Sequence, residues 1–193
     1  MLVIRHASGT PTLAASAVAN APYLRSCYAN ATVWQGNAFP AVANDPCPNT
    51  AGTENFALEV YVYYIGWDDN DATIPALRRV ALNGNAMQDQ MVVSGIEQIQ
   101  FEYGTTTESN TINASTQYFT ANNIVGGHSA NGPTNWDGVN SVRLWLLARN
   151  AKAEAGYINT NIYTMGGTIY DPVNDSFRRQ LFTAVVQLRN FRN

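Results

Sequence analysis

The sequence predicts a mainly β protein of antiparallel strands arranged in two sheets, and three observations carry that prediction. The first is Gly95-Ile-Glu-Gln-Ile-Gln-Phe-Glu-Tyr-Gly104, where Ile99, Phe101 and Tyr103 alternate with Gln98, Gln100 and Glu102. A period of two marks a strand with one dry and one wet face. The second is Phe56 to Ile65, dense in Val, Tyr and Ile, the residues that fit a pleated, half-buried surface. The third is the pair of segments at 139–149 and 178–189, which read as long strands. In the first of these Trp145 sits between Leu144 and Leu146, so the strand is apolar on both faces. It needs cover on both sides, from another sheet or from a partner.

The elements follow in order. Leu2 to His6 reads as a short strand. Residues 8 to 55 read as mostly irregular, broken by Pro11, Pro22, Pro40, Pro46 and Pro48. Within them Leu13 to Asn20 is Ala-rich and suits a short helix. The strand at 56–65 ends at Gly66 and an acidic turn, and residues 74 to 82 return as its hairpin partner. Asn83-Gly84 is a turn dipeptide. Ser94 and Glu97 have the spacing of a helix capping box, but the alternation from Ile99 onward makes this a strand entry. Residues 104 to 138 read as a long polar loop with one short strand near Tyr118. A Gly- and Asn-rich excursion separates the last two long strands, and no repeats occur.

Composition bounds the function. A chain of 193 residues suggests one domain over 1–193, or two small ones. Hydrophobic residues make up 46%, enough for a sizeable core. Only 13% are charged, against about a quarter in an average globular protein. Asn, Thr, Ser and Gln supply the polarity instead, a balance suited to an extracytoplasmic β protein. The net charge of −3 argues against a general nucleic-acid surface, which needs clustered Lys and Arg. The pairs Arg78/Arg79 and Arg178/Arg179 read as solvated strand positions or ion-pair partners.

Cys27 and Cys47 lack both the ligand count of a zinc site and the C-x-x-C spacing of a redox pair. A disulfide between them would close a loop of about 20 residues and stabilise the fold by roughly 3 kcal/mol. Two free thiols are the alternative. The bond would imply an oxidising compartment.

Asp68, Asp69, Asn70 and Asp71 are the one candidate metal site, since calcium loops place oxygen ligands at alternate positions. The EF-hand pattern fails, because Arg79 falls at the twelfth position. A solvated hairpin tip is the competing reading. No catalytic or cofactor-binding residue is assigned. His6 and His128 are the only imidazoles, and no Gly-x-Ser-x-Gly elbow occurs. Met165-Gly-Gly167 lacks the Lys of a phosphate loop. Tyr61, Tyr63, Trp67, Tyr118, Trp136 and Trp145 could line a carbohydrate surface, though Tyr61 and Tyr63 share a strand face with Ile65 and suit sheet-covering duty. No stretch approaches the roughly 20 apolar residues of a spanning helix, and Met1 runs into Leu2-Val-Ile-Arg5 without a signal peptide.

Taken in order, Gly95–Gly104, Val139–Asn150 and Phe177–Asn190 resemble the C-terminal half of PilW-type minor pilins of bacterial type IV pili. Leu2–Ser8 and Ile74–Leu82 fit the same pattern. The family carries a "GIE…Q…YG" strand, a "V-x-x-VR…LLAR" strand and a terminal "RR…V-x-LRN". The resemblance implies an α+β pilin-like domain, here without its N-terminal leader and long apolar helix, so the chain reads as a piece of a longer protein. It implies a structural role in a pilus-tip complex that primes assembly. The partners would be other minor pilins and the major pilin, with no nucleic acid and with membrane contact only through the missing helix. The expected location is the periplasmic face of the inner membrane and the pilus tip. A type II secretion pseudopilin of the minor J kind is the rival of the same architecture. A carbohydrate-binding or adhesive module is the rival of another class, and an enzyme comes last.

Overall fold

The computed structural model describes residues 1–28, 30–37, 46–47, 52–106, 116–124, 136–172 and 174–188. The chain is mainly β. Its strands are β1 (Leu2–Ala7), β2 (Pro22–Ser26), β3 (Ala31–Gln35), β4 (Glu54–Trp67), β5 (Pro75–Asn83), β6 (Ala86–Ser94), β7 (Ile96–Thr106), β8 (Thr116–Phe119), β9 (Val139–Arg149), β10 (Tyr163–Met165), β11 (Thr168–Tyr170) and β12 (Arg179–Gln187). Two main sheets result, as expected, with a small third. A six-stranded sheet has the order β3-β2-β4-β5-β6, with β1 paired to β4. A four-stranded sheet has the order β12-β9-β7-β8, and β10-β11 is a separate hairpin. Every pairing with a resolved register is antiparallel. Among the described residues no helix is long and apolar enough to cross a membrane.

The chain divides into two compact units, residues 1–64 with 78–92, and residues 65–77 with 93–193. In the first unit, β4 carries β1 along its second half and β2 along its first: Leu2 faces Tyr63, and Tyr23 faces Ala57. The core lies where β2 meets β3. Tyr23 and Trp34 are opposite residues whose rings stack at 4.8 Å. The Tyr23 hydroxyl accepts the Val18 amide at 2.6 Å, which leaves no polar end of the ring unpaired.

Arg25 is 1% exposed on the same face. It donates through Nε to the Cys47 carbonyl at 3.0 Å and through Nη1 to Asn55 Oδ1 at 3.2 Å. Cys27 and Cys47 form a disulfide with a Cα–Cα distance of 5.4 Å. The bond and the buried guanidinium together hold Cys47 against β2, in a segment where the sequence offers few strand signals. The Ala-rich stretch at 13–20 forms only a short 3-10 turn, Ala14–Ser16. A helix pinned between Pro11 and Pro22 is too short to offset the cost of its nucleus.

In the second unit β9 is central. Its deepest residues, Trp145 and Leu147, pack with Tyr163 and Met165 of the small hairpin, with Tyr170 and Leu181 at the margin. Met165-Gly-Gly167 is the turn of that hairpin. Gly166 has φ +60°, and a Cβ there would overlap the Glu102 carboxylate and stand 3.0 Å from the Trp145 ring. The Gly167 amide donates to Glu102 Oε1 at 3.2 Å.

A β-bulge at the start of β7 sets the other end of this unit. The register passes from Ile96↔Ala148 to Gln98↔Leu147, so Glu97 is the extra residue. Bulges re-aim a side chain, and this one meets two guanidinium groups. Arg179, whose side chain is 1% exposed, donates to Glu97 through Nε and Nη2. It also donates to Asp175 through Nη1 at 2.7 Å and Nη2 at 2.6 Å. Arg149 lies 3.5 Å from Glu97 and donates to the Thr73 carbonyl at 2.9 Å. Arg178, by contrast, pairs with Glu154 at the surface. The Arg179 guanidinium holds the Asp175 carboxyl below its usual range, and the Phe177 amide adds to the effect. This cluster fastens the first residue of β12 to β7, two strands away.

Three outcomes follow. Unreduced, denatured protein should show no titratable thiol, and reduction should cost about 3 kcal/mol of stability in a denaturant melt. Gly166→Ala should cost about 1–3 kcal/mol and shift the Trp145 emission to the red, since both backbone and space oppose a side chain there. Asp175 has a depressed folded pKa, so its contribution is present above the unfolded value of about 3.9 and is lost as pH falls through the folded value. Thermal melts should decline below about pH 4, and Asp175→Asn should flatten that decline.

Candidate interaction face

The registers of β7, β9 and β12 define two faces of the four-stranded sheet, because residues directly opposite each other project to the same side. On one face stand Ile99, Leu146 and Phe182, then Phe101, Leu144 and Ala184, then Tyr103, Val142 and Val186. Phe119 of β8 extends the last row. This face is apolar across three full strands. Its residues on β7 and β9 are half-buried, and those on β12 are exposed. Phe182 is 53% and Val186 49% exposed. The Tyr103 phenol pKa is raised by burial, and the ring meets Trp136 edge-on at 4.9 Å.

The opposite face holds Gln98, Leu147 and Leu181, then Gln100, Trp145 and Thr183, then Glu102, Arg143 and Val185. Here the β10-β11 hairpin covers Trp145 and Leu147. The simple division of β7 into dry and wet residues therefore needs correction. Gln98, Gln100 and Glu102 lie on the face that carries the buried cluster, while Ile99, Phe101 and Tyr103 lie on the more open one. The reason is local. The hairpin turn supplies an amide for Glu102, so that polar residue can sit at the edge of a core. The expectation that β9 needs cover on both sides holds for one side through the hairpin. The other side is a half-exposed apolar platform, the arrangement that marks interaction surfaces.

The remaining candidates fall elsewhere. Asp68 to Asp71 form the β4-β5 hairpin tip. The Asn70 amide donates to Asp68 Oδ1 at 2.8 Å, and the Thr73 amide and hydroxyl donate to Asp71 Oδ1 at 2.9 and 2.7 Å. The Ser94 hydroxyl first, and the Asn70 amide next, lower the Asp68 pKa; Thr73 lowers that of Asp71. Both carboxylates thus serve as turn acceptors. Among the described residues no group of three or more His, Cys, Asp or Glu could hold a metal ion.

His6 stands 3.4 Å from Glu59 and its ring lies 5.8 Å from that of Tyr61; His128 lies outside the described residues. Of the six aromatics, Trp145 is buried, Tyr118 carries the Arg143 guanidinium 3.7 Å above its ring, and Trp136 packs on Tyr103. Tyr61 and Tyr63 are half-buried, 6.5 Å apart, with Arg79 over Tyr61. Trp67 is 58% exposed. The face itself escaped sequence reading in one respect. The two-sided apolarity of β9 was visible, but the side left open depends on a hairpin whose strands are only three residues long.

A family model described as type IV pilus-assembly protein W matches residues 62–190. No curated protein and no solved structure matches the chain. The matched span contains β7, β8, β9 and β12, and with them the whole of the apolar face. It takes in well over half of the sequence, and the chain accordingly belongs to the family of type IV pilus-assembly protein W.

Proposed function

We propose that the chain is the globular part of a minor pilin, held in the tip complex that primes type IV pilus assembly. Its work is association rather than catalysis. The observation that carries this reading is the apolar face of β7, β9 and β12. A sheet buries its apolar face against a second layer, and the pilin resemblance supplies candidates for that layer: an apolar helix of the same protein, or the domains of neighbouring pilins. The disulfide fits the oxidising periplasm, and the low charge content fits an envelope protein. Other minor pilins and the major pilin are the partners this reading names. A minor pseudopilin of type II secretion would use the same face, and gene neighbourhood separates the two systems.

The test is piliation of a strain lacking the native gene and complemented with variants of it. Leu144→Asp places a charge at the centre of the face, and Phe182→Asp places one on its exposed margin. Each should cost about 2 kcal/mol of association, roughly thirtyfold in affinity, and lower piliation accordingly. Phe182→Asp should leave the melting of the isolated domain within about 0.5 kcal/mol of the parent, because the residue is largely exposed. Normal piliation by folded Phe182→Asp and Leu144→Asp proteins would refute the assignment.

A further inference from the structure

Among the described residues the outer edge of β12 has no neighbouring strand. β12 pairs with β9 on one side only. The Leu188 amide donates to the Asn140 carbonyl at 2.8 Å, and the Asn150 amide donates to the Arg178 carbonyl at 3.0 Å. Residues that exchange hydrogen bonds alternate along an antiparallel ladder. Arg178, Gln180, Phe182, Ala184, Val186 and Leu188 therefore turn their backbone groups toward β9. Leu181, Thr183, Val185 and Gln187 turn theirs outward. Among the described residues no backbone group meets these four on that side. A side-chain amide, Gln180 Nε2, reaches the Leu181 carbonyl at 3.2 Å.

Between Gln180 and Leu188 nothing in the sequence blunts this edge. Natural edges carry charges, prolines or bulges that prevent pairing. Gln180 to Leu188 contains no charged residue, no Pro and no Gly. β6, an edge of the six-stranded sheet, shows the contrast: its centre is Gln88-Asp-Gln90, with Asp89 paired to Arg78 at 2.7 Å. On β12 both faces are exposed from Phe182 onward, with Val185 at 52% on the face opposite Phe182.

We propose that β12 is a docking edge for a second copy of this chain, joined β12 to β12 in antiparallel fashion about a two-fold axis. Amides directed outward at every second residue, without a partner among the described residues, specify an extended strand as the occupant. The side-chain pattern specifies β12 itself, because the strand is self-complementary. With Val185 opposite its own copy, Thr183 faces Gln187 and the outward groups form about six main-chain hydrogen bonds. Phe182 then faces Leu188, and Ala184 faces Val186, at the non-hydrogen-bonded positions where side chains approach most closely. Between Phe182 and Leu188 no like charges oppose each other. The two-fold axis keeps both apolar faces on the same side, so the joined sheets present one continuous platform. The interface is isologous and closes as a dimer.

Sedimentation velocity of the purified chain over a wide concentration range tests this. A reversible monomer–dimer equilibrium is expected. Val185→Pro deletes an outward amide and leaves the ladder to β9 intact. Val185→Lys sets two like charges against each other at the axis. Each should weaken the dimer about tenfold or more, while far-UV circular dichroism stays that of the parent. Mixing Val185→Lys with Val185→Glu should restore a dimer, which neither forms well alone. A chain that stays monomeric at all concentrations would overturn the proposal, as would a dimer indifferent to both substitutions or an open-ended polymer. The inference does not depend on the pilus reading. Its readout is mass in solution, so either can fail without the other.

Discussion

Strand β9 is apolar on both faces, and each face of such a strand gains stability by losing its contact with solvent. The second unit is organised by that constraint. On one side a hairpin of two three-residue strands folds down over Trp145 and Leu147. Its turn is fixed to Glu102, so the cover is tied to the sheet by a charge-assisted hydrogen bond as well as by apolar contact. On the other side the described residues contribute chiefly neighbours in the plane of the sheet, β7 and β12, which widen the apolar area, with Trp136 against Tyr103 at its margin. The result is a domain with one finished core and one unfinished face. In the association role proposed above, the unfinished face is where binding would gain its hydrophobic energy.

The charged cluster at Arg179 makes the platform possible. β12 is otherwise poorly buried; from Phe182 to Gln187 every residue is exposed. A strand of that kind would fray if it depended on its side chains alone. Its first residue is instead locked to Glu97 and Asp175, with Arg149 alongside. A guanidinium this buried is tolerable only because carboxylates from two segments meet it in good geometry. The bulge that frees Glu97 for this contact lies at the beginning of β7, so the same local irregularity that interrupts one ladder anchors the far edge of the sheet.

Much of this was legible in the residues. The alternation at 95–104, the Val- and Tyr-rich run at 56–65, and the two-sided strand at 139–149 each became a strand close to the expected bounds. Asn83-Gly84 marked a hairpin turn, and Thr116–Phe119 is the short strand expected near Tyr118. What escaped notice depends on partners distant in sequence. β6 mixes Met87, Asp89 and Val93 with Gln88 and Gln90, so neither period nor propensity announces it; pairing with β5 makes it a strand. Glu97, spaced from Ser94 like a helix cap, accepts from Arg179 and forms an ion pair with Arg149, two arginines that follow it by more than fifty residues. Arg25 looks like a surface cation until Cys47 and Asn55 are placed around it. The dry and wet rows of β7 could be separated by pattern, but which row meets the core was decided by the hairpin.

The distribution of indoles has a consequence for how folding can be watched. Trp34 and Trp145 are 9% and 7% exposed, and each belongs to a different compact unit. Trp67 and Trp136 are 58% and 44% exposed. The chain therefore carries one buried fluorophore per unit beside two indoles that are already exposed to solvent. Replacing Trp34 leaves the emission shift reporting the sheet of β7, β9 and β12 alone, and replacing Trp145 leaves it reporting the disulfide-bonded unit. The cooperativity of the two units becomes a measurable quantity, read as the coincidence or separation of two colour changes in a single denaturant titration.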